Sequence, residues 1–128
     1  MIVNDPEVKA EVEREFAAYE TALVTNDVEA LDGFFWNDPL VIRYGGGENL
    51  YGYDEIAAFR AARSPAGLAR TLERPVVTTF GRDHATACTL FRRDTAPGKI
   101  GRQTQTWVRT PIGWKIVAAH VSVIPEPA

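Results

Sequence analysis

Near its start the chain places apolar residues on one side of a helix. Val8, Val12, Phe16, Tyr19 and Leu23 recur at spacings of four, four, three and four, the period of a single α-helical stripe. Lys9, Glu11, Arg14, Glu15 and Glu20 lie largely off that stripe. Asp5 before Pro6 supplies an N-cap and a proline at the first helical position. A helix of about five turns is predicted from there. "TND" at 25–27 breaks the chain. Asn26 or Asp27 then opens a short second helix, "VEALDGFF", with Val28, Leu31 and Phe34 on its inner side.

The pattern then changes. "WNDPLVIRYG" reads as a first strand after a proline turn, and "GGGEN" as a sharply bending loop. Asp54 is predicted to cap a third helix, "EIAAFRAAR", with Ile56 and Phe59 facing in. The second half reads as strands: "GLARTLERPVVTTFG", "HATACTLFRRD", "KIGRQTQTWVRT" and "GWKIVAAHVSVI". The turn signals "GRD", "TAPG" and "TPIG" divide them, and connections this short predict antiparallel neighbours. Helices first and strands afterwards imply an α+β fold, with N-terminal helices packed in a strongly curved, mostly antiparallel sheet. This is the element order of the nuclear-transport-factor-2-like (NTF2-like) cone, which is often open at one end and lined by mixed side chains. The analogy concerns fold and carries no chemistry. One domain spans 1–128, with 123–128, ending "IPEPA", as a loose tail.

Composition narrows the class. The 128 residues are 45% apolar, enough for one domain with a core. Fourteen basic and 17 acidic residues give a net charge of −3. With no basic run, neither nucleic acid nor an anionic membrane surface is an expected partner. The single cysteine, Cys88 in "ATACTLF", excludes an internal disulfide and reads as a small buried hydrophobe. No CxxC or HExxH spacing is present, and His84 and His120 lie far apart, so no protein-built metal site is expected. The charged N-terminus has no apolar signal core. No apolar run approaches the ~20 residues of a membrane helix. A cytoplasmic location is the expectation.

Candidate chemistry begins with Arg43, set into the strand-like "PLVIRYGGG". A guanidinium is costly indoors unless paired. Either it faces water or an interface, or it meets an anion inside the cone through two parallel hydrogen bonds. Periodicity leaves this open, because both faces of the strand carry apolar residues. Tyr19 lies on the helical stripe, so its ring should be buried and its hydroxyl should find a partner. That partner is either backbone or the cavity beside Arg43, where a cation would favour the ionised phenol and the group could move a proton. In "RQTQTW", Gln103, Gln105 and Trp107 share one face. They either line a pocket and hydrogen-bond a ligand there, or form a polar outer face with Trp107 at a dimer contact. His120 is either a satisfied core histidine or a second base or carboxylate partner. Asn49 and Tyr51 end the glycine loop and could close over a ligand. Arg60 could reach the cone mouth, though solvation explains both it and Arg63. Arg92 and Arg93 read as a strand end facing water.

Three stretches carry a resemblance: "YETALVTNDVEALDGFFW", "VIRYGGGENLYGYDEIAAFRAARSPAGLART" and "GRQTQTWVRTPIGWKIVAAHVS". They resemble the AtzH-like family, small cone-fold proteins encountered alongside amidases in oxalurate and s-triazine (cyanuric acid) breakdown. The similarity runs roughly from Val8 to Ser122. It implies a decarboxylating amidohydrolase without metal or cofactor. The implied substrate is a carboxylated urea such as 1,3-dicarboxyurea, giving allophanate, or an oxalurate-like acid. It also implies that Tyr19 and Arg43 are the catalytic pair. A homodimer is expected, sheet face against sheet face with Trp107 or Phe91 at the contact, working beside an amidase. The alternative is a non-catalytic dimeric cone that binds an amidase or holds its ligand.

Overall fold

In the computed structural model, which describes residues 1–127, the helical stripe faces inward as the sequence predicts. Asp5 accepts from the Glu7 amide at 3.0 Å, and Pro6 opens helix α1 (Pro6–Val24). Val8, Val12, Phe16, Tyr19 and Leu23 are all buried. Asp27 accepts from the Ala30 amide and caps α2 (Val28–Phe34). Helix α3 (Tyr53–Ala62) is capped by Gly52 rather than Asp54, which lies in its first turn. The reason is the turn before it. Gly52 sits at φ 87° and donates to the Val41 carbonyl at 2.7 Å, a left-handed conformation that glycine adopts without strain.

Six strands form one sheet: β1 (Ile42–Tyr44), β2 (Asn49–Tyr51), β3 (Thr71–Phe80), β4 (His84–Arg92), β5 (Lys99–Thr110) and β6 (Gly113–Pro125). Their order is β2-β1-β6-β5-β4-β3. The four long strands pair antiparallel in succession, as their short turns require. Two register shifts, at Glu73/Val76 and Thr106/Trp107, bend the sheet.

Three features depart from the sequence reading. The glycine loop ends in a strand, so β1 and β2 form a small hairpin, each run being too short to show a period. β1 then lies parallel to β6. The supposed tail is strand through Pro125, and the Glu126 amide donates to the Gly98 carbonyl at 2.9 Å. Its last residue, 128, lies outside the described residues.

The helices cover one face of the sheet: α1 contacts β3, and α2 contacts β6. Leu31, Phe35, Val41, Ile56, Trp107 and Ile116 between them are almost fully sealed. On β4, Ala87 and Thr89 take the inner positions, which turns Cys88 to the outer face, half-exposed rather than buried.

Candidate functional site

Helix α1 delivers Tyr19 into the interior, where it is 5% exposed. Its ring meets those of Phe34 and Phe35 edge-on, at 5.9 and 6.4 Å between centroids. Among the described residues, no protein atom hydrogen-bonds its hydroxyl, so of the two alternatives the backbone partner is not made.

Strand β1 delivers Arg43, whose side chain is 12% exposed and therefore indoors. It already has a carboxylate: Nη1 donates to Glu48 Oε1 at 2.7 Å. The guanidinium carbon stands 5.6 Å from the centre of the Phe59 ring. Glu48 reaches back across the glycine loop, where the Gly47 amide donates to its Oε2 at 3.1 Å. A Cβ at Gly45 would collide with the same carboxylate. Gly45 thus leaves room for the counter-ion, while Gly46 and Gly47 face open space.

Arg60, Arg63, Arg70 and Arg93 are also wholly or partly buried. Arg60 is buried rather than solvated: Nη1 donates to Asp32 at 2.6 Å and the guanidinium lies 4.9 Å from the Phe35 ring centre. Arg70 grips Glu20 through Nε and Nη2, at 2.8 and 2.6 Å, and also donates to Gln103 Oε1 at 3.0 Å. Arg70 and Arg93 both stand over the Phe91 ring, at 4.5 and 4.8 Å. Arg93 therefore does not face water. It follows the last residue of β4 and turns in over that ring, leaving the half-exposed position to Arg92, which pairs with Glu73 and Glu126. Arg63, just past the end of α3, is also partly sealed.

Arg63 and Arg93 differ from the other three in having no salt-bridge partner among the described residues, whereas a buried Nε without a hydrogen bond is shared by Arg60. Arg63 Nε and Nη2, and Arg93 Nε, are buried with no hydrogen-bond partner among the described residues. Burial, and then the Arg60 cation, hold the Arg63 guanidinium below its ordinary value; Arg43 adds to this, while Tyr19 and Glu48 oppose it. Arg93 is lowered first by burial and then by Arg70, with Glu20 and Tyr19 opposing and Arg63 adding. Both cations therefore lie within electrostatic reach of Tyr19, and Arg63 is also within reach of Arg43.

The other candidates divide. Gln103 is buried and joins the cluster, with Nε2 unpartnered. Gln105 and Trp107 are sealed, the indole donating to Gln105 Oε1 at 3.1 Å. Trp107 belongs to the core and presents no surface to a partner; the same holds for Phe91, 2% exposed. A dimer contact through either residue is thereby excluded. His120 points outward, edge-on to Tyr44. The cause is a bulge: Trp107 pairs with Ile116 and Thr106 with Ala118, which leaves Val117 over and reverses the alternation. Asn49 and Tyr51 are exposed on the edge strand, where the Tyr51 hydroxyl meets that of Tyr44 at 2.9 Å. None of these three is gathered with Tyr19. Sequence reasoning missed Glu20, Glu48 and Arg70 and misplaced Arg63 and Arg93. The arginines at 60, 63 and 70 in "FRAARSPAGLAR" are ordinary near a helix end, so the sequence carried no signal for their burial.

A curved sheet wrapped on helices, with polar groups gathered inside, defines the NTF2-like, cystatin-like fold class. An NTF2-like protein of unknown function from Pseudomonas putida shares it at 16% identity and a TM-score of 0.76, over 91% of this chain and 86% of that one. The sequence pattern of the AtzH-like family matches residues 1–127, and the chain belongs to that family. Two solved structures are more similar. A Pectobacterium atrosepticum protein of unknown function is 56% identical, with a TM-score of 0.93 over 95% of this chain and 94% of that one. A Burkholderia xenovorans cystatin-like fold protein is 50% identical, with a TM-score of 0.95 over 99% of both chains. No curated protein matches the chain.

Proposed function

We propose that this protein is a decarboxylating amidohydrolase of a small carboxylated urea, with 1,3-dicarboxyurea as substrate and allophanate as product. The reaction removes one N-carboxylate. The bond from nitrogen to the terminal carboxyl carbon breaks, its electron pair passes to the nitrogen and is shared with the urea carbonyl, and carbon dioxide leaves. A proton must then reach that nitrogen. Tyr19 is the donor in this reading and is reprotonated from water, since general acid catalysis needs a hydroxyl held within reach of the reacting atom. Arg43 stabilises the charge that grows on the urea oxygen. Glu48 holds its Nη1, and the remaining N–H groups are left for the carbonyl.

The observation that carries the reading is a buried tyrosine whose hydroxyl has no protein partner among the described residues, in the field of Arg63 and Arg93. The test is incubation of the pure protein with enzymatically generated 1,3-dicarboxyurea, followed by mass spectrometry. Allophanate should form faster than in buffer. An unchanged rate would leave a binding cone without catalysis.

A further inference from the structure

Five guanidiniums stand inside or at the rim of this cone, and three carboxylates answer them. Glu48 pairs with Arg43, Asp32 with Arg60, and Glu20 with Arg70. Among the described residues, Arg63 and Arg93 have no salt-bridge partner, yet both carry sealed N–H groups that bond to nothing. Gln103, 3% exposed, adds a sealed and unpartnered Nε2. Its Oε1 is fixed by Arg70, which shares the Phe91 ring with Arg93. A buried cation and a buried amide N–H both cost free energy when left unpaired. Two like charges within reach of each other cost more. An arrangement that persists at this cost is complementary to something that arrives from outside.

We propose that Arg63 and Arg93 form a dianion site, each taking one carboxylate of a ligand that spans between them, with Gln103 Nε2 as a further donor. Two uncompensated positive charges are balanced by a dianion and only half balanced by a monoanion. The site therefore selects doubly charged acids. Taken with the reaction proposed above, on which this last step rests, it also explains product release: loss of one carboxylate leaves one guanidinium unanswered, and the singly charged product leaves. Arg43 and Tyr19 are then left for the carbonyl and the nitrogen between the two ends.

Glutarate is the probe. It is unreactive here and has the same number of atoms between its carboxylates as 1,3-dicarboxyurea; butyrate is its singly charged counterpart. Calorimetry at fixed low salt should show glutarate binding at least about tenfold tighter than butyrate, since hydrogen bonds to charged groups are strong enough for that margin. R63Q and R93Q should each lose about tenfold or more for glutarate while holding butyrate within about threefold. Both variants should also unfold at a temperature no lower than the wild type without ligand, because each removes an unpaired buried charge. Equal affinity for the two acids overturns the dianion site. So does a folded R63Q or R93Q that binds glutarate as the wild type does. Should a glutamine variant fail to fold, that too counts against the proposal, and R63K and R93K, which keep the charge but lose the planar fork, supply the binding comparison. Tight glutarate binding without turnover of 1,3-dicarboxyurea upholds the dianion site and removes the enzymatic reading. Turnover without glutarate preference does the reverse.

Discussion

Arg43 and Glu48 form a 2.7 Å ion pair across five residues, closed over a glycine loop where a Cβ at position 45 would push the carboxylate aside. The carboxylate fixes the guanidinium and also subtracts a negative charge from what the pocket can accept. E48Q separates the two effects. Glutarate should bind about threefold tighter, because one repelling charge is gone. Turnover should fall about tenfold, because Arg43 is no longer held in place. Calorimetry and steady-state rates read the two arms. A parallel loss of both binding and rate would remove Glu48 from this role.

Tyr19 gives the sharper test of chemistry. Y19F keeps the ring and its edge contacts with Phe34 and Phe35 and deletes only the hydroxyl. Turnover should drop at least about a hundredfold, the usual scale of a general acid, while the glutarate Kd stays within about threefold. A rate close to that of the wild type would take Tyr19 out of the mechanism.

Gly101 supports the cluster from behind. A Cβ there would run into the Phe91 ring, and that ring carries both Arg70 and Arg93. G101A should therefore destabilise the fold by about 1–3 kcal/mol, the ordinary cost of overpacking, and weaken glutarate binding as well. Urea unfolding and calorimetry check the two effects. Wild-type stability in G101A would mean that Phe91 moves aside without cost and is no support for the arginines.

The parts legible in the sequence were those with a period. The stripe from Val8 to Leu23 placed Tyr19 indoors, and alternation in "RQTQTW" put Gln103 and Gln105 together on the inner face. Periodicity fails where the backbone breaks step. One extra residue at Val117 turned His120 outward, and a turn before α3 moved its cap to Gly52. Arg63 and Arg93 sit just past the ends of α3 and β4, positions that no period governs. The Arg43–Glu48 pair depends on how a glycine loop folds back, and the Arg70–Glu20 pair joins residues fifty apart in the chain.

A second network, away from the cone interior, sets the response to acid. Arg109 donates to Glu11 Oε1 at 2.8 Å, the Trp114 indole donates to the same oxygen at 3.1 Å, and the guanidinium stands 4.7 Å from the Trp114 ring centre. The Arg109 hydrogen bond first, and the Trp114 bond next, hold the Glu11 carboxyl below its usual 4.5 against a smaller effect of burial. A carboxyl depressed in the folded state stabilises the fold above its unfolded value, and that stability is lost as pH falls through the folded value. Unfolding by urea should therefore show constant stability near neutrality and a decline that begins below about pH 5. E11Q should be less stable than the wild type at pH 7 and should lose less on acidification, so that the two curves converge as pH falls through the folded value. The Arg92–Glu126 pair pushes in the same direction, but it is exposed and screened by solvent, so E126Q should change the slope less. Parallel curves for E11Q and the wild type across this range would show that the tie between α1 and the sheet does not depend on the ionised Glu11.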